Sequence, residues 1–182
     1  MIKFILTILI LNVTLALGQE KHKDDLKNKV RESLGLIDYS FSADTLNLIF
    51  TSDFLYYPFG VFKNHEGLKK AYPKLYSLRN GFPYLSNRDS YAKFFYDDDK
   101  KKLETVYASF TSSKFRLTNG IVTGMSKKEV MTRFFISMPD NLDNISVLRL
   151  ESGLVGIWHY YKFDNDILIS ICFDTDYQLE KN

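Results

Sequence analysis

The sequence predicts an α+β fold in which short helices pack against one face of an antiparallel sheet. Two segments, residues 54–110 and 115–176, carry the same order of signals: a helix, then two strands that meet at an acidic turn. An aromatic content of 15% supplies large side chains for a core and argues against disorder. The sequence therefore predicts two related helix-plus-hairpin units, which indicates a duplication.

The first unit contains a predicted helix at residues 64–72, with Asn64 as its N-cap. A hairpin is expected over residues 94–107, because aromatic and β-branched residues flank the turn at Asp97–Asp99. Residues 76–87 combine Asn, Gly and Pro without a clear period. We therefore expect them to form a loop.

The second unit contains a predicted helix at residues 126–135. Ser126 and Glu129 have the spacing of a capping box, in which each side chain bonds to the other residue's backbone amide. The turn of the second hairpin is expected at Asp164–Asp166. Three antiparallel strands are expected in this unit, at residues 147–150, 154–163 and 168–172.

Residues 1–18 are predicted to be a secretory signal peptide. Lys3 precedes an apolar run over residues 4–10, and the segment closes on the small residues of 16–18. The apolar stretch is shorter than the roughly 20 residues of a membrane-spanning helix. We therefore expect cleavage before Gln19, release to the periplasm or the extracellular space, and no stable membrane anchor in the mature chain.

Residues 19–53 are predicted to form an N-terminal helix followed by a connector. Leu26, Val30 and Leu34 recur at helical spacing among interleaved basic and acidic residues. This pattern is typical of an amphipathic helix with one solvated face.

The charge distribution disfavours a nucleic-acid partner. The formal net charge is +2, and removal of Lys3 with the signal peptide lowers it to +1. The densest basic run, Lys100–Lys102, directly follows Asp97–Asp99, so its positive charge is offset by the neighbouring carboxylates. Nucleic-acid binding proteins normally carry a basic face or stripe.

No sequence motif for catalysis is present, so no catalytic residue is predicted. The single cysteine, Cys172, excludes an intramolecular disulfide. A two-residue turn at 165–166 would place His159 opposite Cys172, which keeps a Cys-His pair as the alternative of a small secreted enzyme. The apolar strand around Cys172 favours a packed structural cysteine instead.

Metal and cofactor binding are not predicted. Asp97–Asp99 and Asp164–Asp166 resemble fragments of calcium loops but lack the downstream glycine and glutamate. Asp and Asn favour tight turns for local reasons. His22, His65 and His159 are scattered along the chain, without the spacing of a zinc site.

Aromatic residues in segments punctuated by Pro and Gly are the candidate binding residues. Rings in such segments are typical interface anchors. Burial of the same rings in the core of the first unit is the alternative. The candidates are Tyr56, Tyr57, Phe59, Phe82 and Tyr84.

The run from Asn119 to Val130, with Gly124-Met125-Ser126 and Glu129-Val130, resembles a helix start found in two groups of small exported bacterial proteins. These are the β-lactamase-inhibitor proteins and the small lipoprotein of the outer-membrane β-barrel assembly machine. The resemblance implies tandem helix-plus-sheet units and, for the inhibitors, a non-enzymatic binding surface.

The sequence therefore predicts an exported, non-catalytic module that binds another protein, with inhibition or toxin neutralisation as candidate roles. An envelope assembly or structural factor is the alternative from another class, beside the secreted enzyme. A fold-level resemblance does not by itself identify a partner.

Overall fold

Nine strands form one mixed sheet in the computed structural model, which describes residues 26–154 and 156–176. In chain order the strands are β1 (Leu36–Ser42), β2 (Thr45–Phe50), β3 (Tyr76–Arg79), β4 (Phe82–Asn87), β5 (Ser90–Asp97), β6 (Lys102–Phe110), β7 (Val147–Ser152), β8 (Ile157–Asp164) and β9 (Ile167–Thr175). Their spatial order is β1-β2-β7-β8-β9-β6-β5-β4-β3. Strands β2 and β7 are parallel, and the other neighbours are antiparallel.

The predicted α+β class is wrong, because the protein is mainly β. Its helices are short: α1 spans His65–Ala71, α2 spans Lys127–Met131, and residues 26–29 form a further helical turn. Two strand pairs absent from the prediction account for the difference. They occupy residues 36–50 and 76–87.

Residues 36–50, predicted as connector, form the hairpin β1–β2. Leu46, Leu48 and Phe50 are fully buried and alternate with half-buried residues, which is the period of two expected for a strand. Gly35 adopts a left-handed conformation (φ 61°) after a short 3-10 turn and leads the chain into β1.

Residues 76–87, predicted as loop, form the hairpin β3–β4. Its two-residue turn is Asn80-Gly81, and both residues have positive φ, 48° and 81°. This is the turn geometry that matches the twist of the flanking strands. Pro83 obscures the strand pattern in the sequence, but it lies on β4 next to the edge strand.

The predicted helix starts and the two other hairpins are confirmed. Asn64 Oδ1 accepts a hydrogen bond from the Gly67 amide, and Ser126 and Glu129 form the capping box. Hairpins β5–β6 and β8–β9 lie where they were expected. Helix α2 is shorter than predicted, and the chain beyond it pairs Phe135 with Val30.

The two faces of the sheet differ. The inner face carries buried residues in register across five strands: Leu48, Leu150, His159, Phe173 and Ala108. Both helices add to this core, through Leu68 of α1 and Val130 and Met131 of α2. The outer face carries half-buried residues, such as Arg149, Tyr160 and Cys172.

Strands from both predicted units join this one sheet where β6 pairs with β9. A common origin of the units stays a prediction. The predicted signal peptide lies outside the described residues. Among residues 26–154 and 156–176, no helix has the length and apolarity needed to cross a membrane.

Candidate functional site

Phe59 lies in the core. Its side chain is 4% exposed, and its ring packs edge-to-face against Phe94, Phe110 and Phe173 with centroid distances of 5.6, 5.4 and 6.1 Å. A ring held on several sides by other rings contributes to stability and presents little surface to a partner. We therefore leave Phe59 out of the candidate surface.

Tyr57 and Tyr56 are bonded into the fold beside a buried carboxylate. The Tyr57 hydroxyl donates to Glu104 Oε1 at 3.2 Å, and Lys100 Nζ lies 2.6 Å from the same oxygen. Burial, reinforced by the Glu104 carboxylate, raises the pKa of Tyr57 to about 12, so its phenol remains a donor. Tyr56 is half-buried with its hydroxyl 3.5 Å from Ser152 Oγ. These contacts connect residues 56–57 to the sheet.

Phe82 and Tyr84 lie together on the outer face of β4. Both are half-buried, and a cation stands over each ring. Lys93 Nζ lies 4.4 Å from the Phe82 centroid, and Arg79 Cζ lies 5.3 Å from the Tyr84 centroid. Cations within about 6 Å of a ring centroid are attracted by the ring face. We call Arg79, Phe82 and Tyr84 the hairpin surface.

The hairpin surface adjoins an edge of the sheet. Strand β3 is the last strand on that side, and its Leu78 side chain is 57% exposed. Arg79 is also exposed, and its Nη2 donates to Ser86 Oγ at 3.2 Å. Arg79 is not among the residues predicted from the sequence, because residues 76–87 were expected to form a loop. The signal that identifies the hairpin is Asn80-Gly81 between two potential strands.

A cleft of about 420 Å³ opens beside Phe82. Its wall includes His65 at the start of α1, Tyr96 of β5, and Asp98 in the turn that follows β5. The cleft arises because β4 pairs with β5 only from Tyr84 onwards, so the strands separate next to Phe82. Its volume falls in the range of small-ligand pockets. The cleft is a concave feature of the surface directly beside Phe82.

The structure does not place His159 opposite Cys172. The two-residue turn at 165–166 forms as expected, but a bulge after it shifts the register of β8 and β9 by one residue. His159 therefore pairs with Phe173 and faces the inner core, while Cys172 pairs with Tyr160 on the outer face. A one-residue shift sends a side chain to the opposite face of a sheet.

We expect Cys172→Ser to change the free energy of unfolding by less than about 1.5 kcal/mol, because the thiol is only half-buried. Its Sγ lies 3.9 Å from Ser109 Oγ, so a hydroxyl retains a polar neighbour. Urea denaturation measures the change. A stable Cys172→Ser protein that loses partner capture would contradict the structural role of this cysteine.

The carboxylates of the two acidic turns, at 97–99 and 164–166, form hydrogen bonds and an ion pair with other groups of the chain. Asp97 Oδ1 accepts from the amides of Asp99 and Lys100 at 2.8 and 2.9 Å. Asp166 pairs with Lys127 Nζ at 2.6 Å. These are local turn and ion-pair contacts. In the part of the chain that the structure describes, no three His, Cys, Asp or Glu residues group as a metal site would require.

The chain was compared with known proteins, and no protein-family model, no curated protein and no solved structure matches it.

Proposed function

We propose that the mature protein is an exported, non-catalytic module that binds another protein through the hairpin surface. One observation carries the proposal: the guanidinium of Arg79 stacks on Tyr84, next to the ring of Phe82, at an open edge of the sheet. Tyr and Arg are enriched among the residues that dominate binding energy in protein interfaces. Anchoring in a rigid hairpin lowers the entropy lost when the rings are immobilised.

Export is the second part of the proposal. It rests on the charged start, the apolar run and the small residues of 1–18. The helix start at Ser126–Glu129 resembles that of exported inhibitors, which supports an inhibitory or toxin-neutralising role. In this role the hairpin surface covers a site on the partner and needs no reactive group of its own.

The double variant Phe82→Ala/Tyr84→Ala is expected to capture at least tenfold less partner than the unchanged protein. Mature protein (residues 19–182) is immobilised, exposed to periplasmic and secreted extracts, and analysed by quantitative mass spectrometry. The melting temperature should fall by only a few degrees, because both rings are half-buried.

Phe41→Ala is the matched control, since Phe41 is a 43% exposed ring on β1 at the opposite edge of the sheet. It should leave capture unchanged. If the double variant is unstable, Tyr84→Thr tests the same surface with a β-branched residue that suits a strand. If the folded Phe82→Ala/Tyr84→Ala protein captures as much partner as the unchanged protein, the proposal is wrong.

A further inference from the structure

We infer that the hairpin surface recognises an acidic segment of its protein partner, with Arg79 and Arg88 as the residues that contact its carboxylates. This inference rests on the proposed function, and it specifies the chemistry of the partner.

The charge of this region differs from that of the chain as a whole. Residues 76–93 contain two exposed basic side chains, Arg79 and Arg88, one buried basic side chain, Lys93, and one acidic side chain, Asp89. The complete chain is close to neutral, at +2 over 182 residues. The segment from β3 to the middle of β5 therefore carries a net positive charge, and complementary charge is what selects a partner and its orientation.

Arg79 and Arg88 are both exposed, and neither lies within 4.0 Å of a carboxylate oxygen in the described part of the chain. Two cations elsewhere in the sheet have such partners. Lys100 pairs with Glu104, and Arg149 pairs with Glu151. Arg79 of β3 and Arg88 of the β4–β5 turn thus keep their charge available for a partner.

Arg79 is held in a fixed position. Its Nη2 donates to Ser86 Oγ at 3.2 Å, and its guanidinium lies over the Tyr84 ring. A guanidinium has five N–H donors in one plane, so this arrangement leaves donors for a carboxylate. Because the side chain is already ordered, less entropy is lost when it forms a two-pronged bond to a carboxylate.

Arg88 lies at the same end of β4 as the Arg79 guanidinium. The side chain of Arg79 reaches Ser86, and Arg88 follows two residues later in the turn that the Asn87–Ser90 pair closes. Arg88 has a φ of 51°, a conformation that Gly or Asn adopts more easily. Arg88 is therefore an exposed arginine close to the Ser86 end of β4, where the Arg79 guanidinium also lies.

The experiment uses fluorescein-labelled acetyl-hexaglutamate amide as the probe and measures anisotropy with the mature protein. Hexaglutamate should bind to the mature protein. Its affinity should fall as the salt concentration rises from 20 to 150 mM, because salt screens the attraction between exposed charges. Hexaglutamine and hexalysine should bind at least tenfold more weakly. An absence of hexaglutamate binding at low salt, or equal binding of hexaglutamine, overturns the inference.

The variant Arg79→Gln/Arg88→Gln should weaken hexaglutamate binding at least tenfold. Arg133→Gln is the matched control, because it removes one exposed arginine beyond α2, outside the hairpin, and should leave binding unchanged. The affinity of Arg79→Lys for hexaglutamate should lie between those of the unchanged protein and the double variant, since lysine keeps the positive charge but lacks the planar guanidinium. Equal loss in Arg133→Gln would indicate a general charge effect and overturn the assignment.

Two further arms separate this inference from its alternatives. A labelled twelve-residue oligothymidylate should bind more weakly than hexaglutamate, and tighter binding would make the surface a nucleic-acid site. In the extract experiment, loss of capture in Phe82→Ala/Tyr84→Ala but not in Arg79→Gln/Arg88→Gln would leave the protein-binding function standing and reject acidic recognition. Loss in both variants supports both proposals.

Discussion

Replacement of Phe59 by alanine is expected to lower the free energy of unfolding by about 3–5 kcal/mol, the usual cost of removing a buried phenylalanine. The ring is 4% exposed and contacts rings from β5, β6 and β9. Its removal leaves a cavity where strands of both predicted units meet. Urea denaturation followed by fluorescence of the single tryptophan, Trp158, measures the change.

Tyr84→Ala is the matched comparison, since it removes an aromatic ring from a half-buried position. It should cost less than half as much stability as Phe59→Ala, because a ring that already meets water leaves a smaller cavity. Equal losses for the two substitutions would mean that Tyr84 is as much a part of the core as Phe59. The hairpin surface would then be unsuitable as a binding site.

Local signals identified the elements whose formation depends on neighbouring residues. The capping box of Ser126 and Glu129 spans four residues, and the turn at Asn165-Asp166 needs only positive φ at two positions. The pairing of strands that are distant in the chain could not be predicted from local signals. Strand β2 becomes an interior strand because it pairs in parallel with β7, about a hundred residues further along the chain.

The wrong fold class follows from the same limit. Leu26, Val30 and Leu34 fit a helical period, but between residue 26, where the description begins, and β1 the α-helical turn covers residues 26–29 and is followed by a short 3-10 helix at Glu32–Leu34. Tertiary packing of Leu46, Leu48 and Phe50 overrides a weak local preference. The alternation of polar and apolar residues in β2 also extends only from Thr45 to Leu48, because Ile49 is apolar as well, and this weakens the strand signal in the sequence.

The candidate site was predicted in part. Composition singled out five rings, but only burial separates Phe82 and Tyr84 at the edge from Phe59 in the core. Arg79 and Arg88 were missed for another reason. Whether an arginine lacks a carboxylate partner depends on the positions of all neighbouring strands, which one sequence does not reveal.

The stability of the protein is expected to fall by about 2 kcal/mol between pH 7 and pH 5 because of His159 alone. Burial lowers the pKa of this histidine to about 3, against a hydrogen bond that acts in the opposite direction. Its Nε2 lies 3.0 Å from the Leu55 carbonyl oxygen and serves as the donor, while the buried Nδ1 has no hydrogen-bond partner among the residues that the structure describes. A second proton would have to reside on Nδ1, among the rings of Phe54 and Phe173.

The direction of this pH dependence follows from the protonation of His159 in the unfolded and folded states. In the unfolded chain the imidazole takes up a proton near pH 6.5, whereas in the folded protein it stays neutral down to about pH 3. The unfolded state therefore binds more protons in this window, and stability is full above pH 6.5 and falls as pH is lowered towards 3. The slope is about 1.4 kcal/mol for each pH unit.

His159→Gln should remove this slope between pH 7 and pH 5, because glutamine does not titrate and its amide can still donate to Leu55. His65→Gln is the control: His65 is about half exposed, at 52%, and its replacement should leave the slope in place. Urea denaturation at several pH values measures both, and NMR gives the titration of each imidazole directly. A His159 resonance that titrates near pH 6.5 in the folded protein, or an unchanged slope in His159→Gln, would contradict the burial of a neutral imidazole in this core.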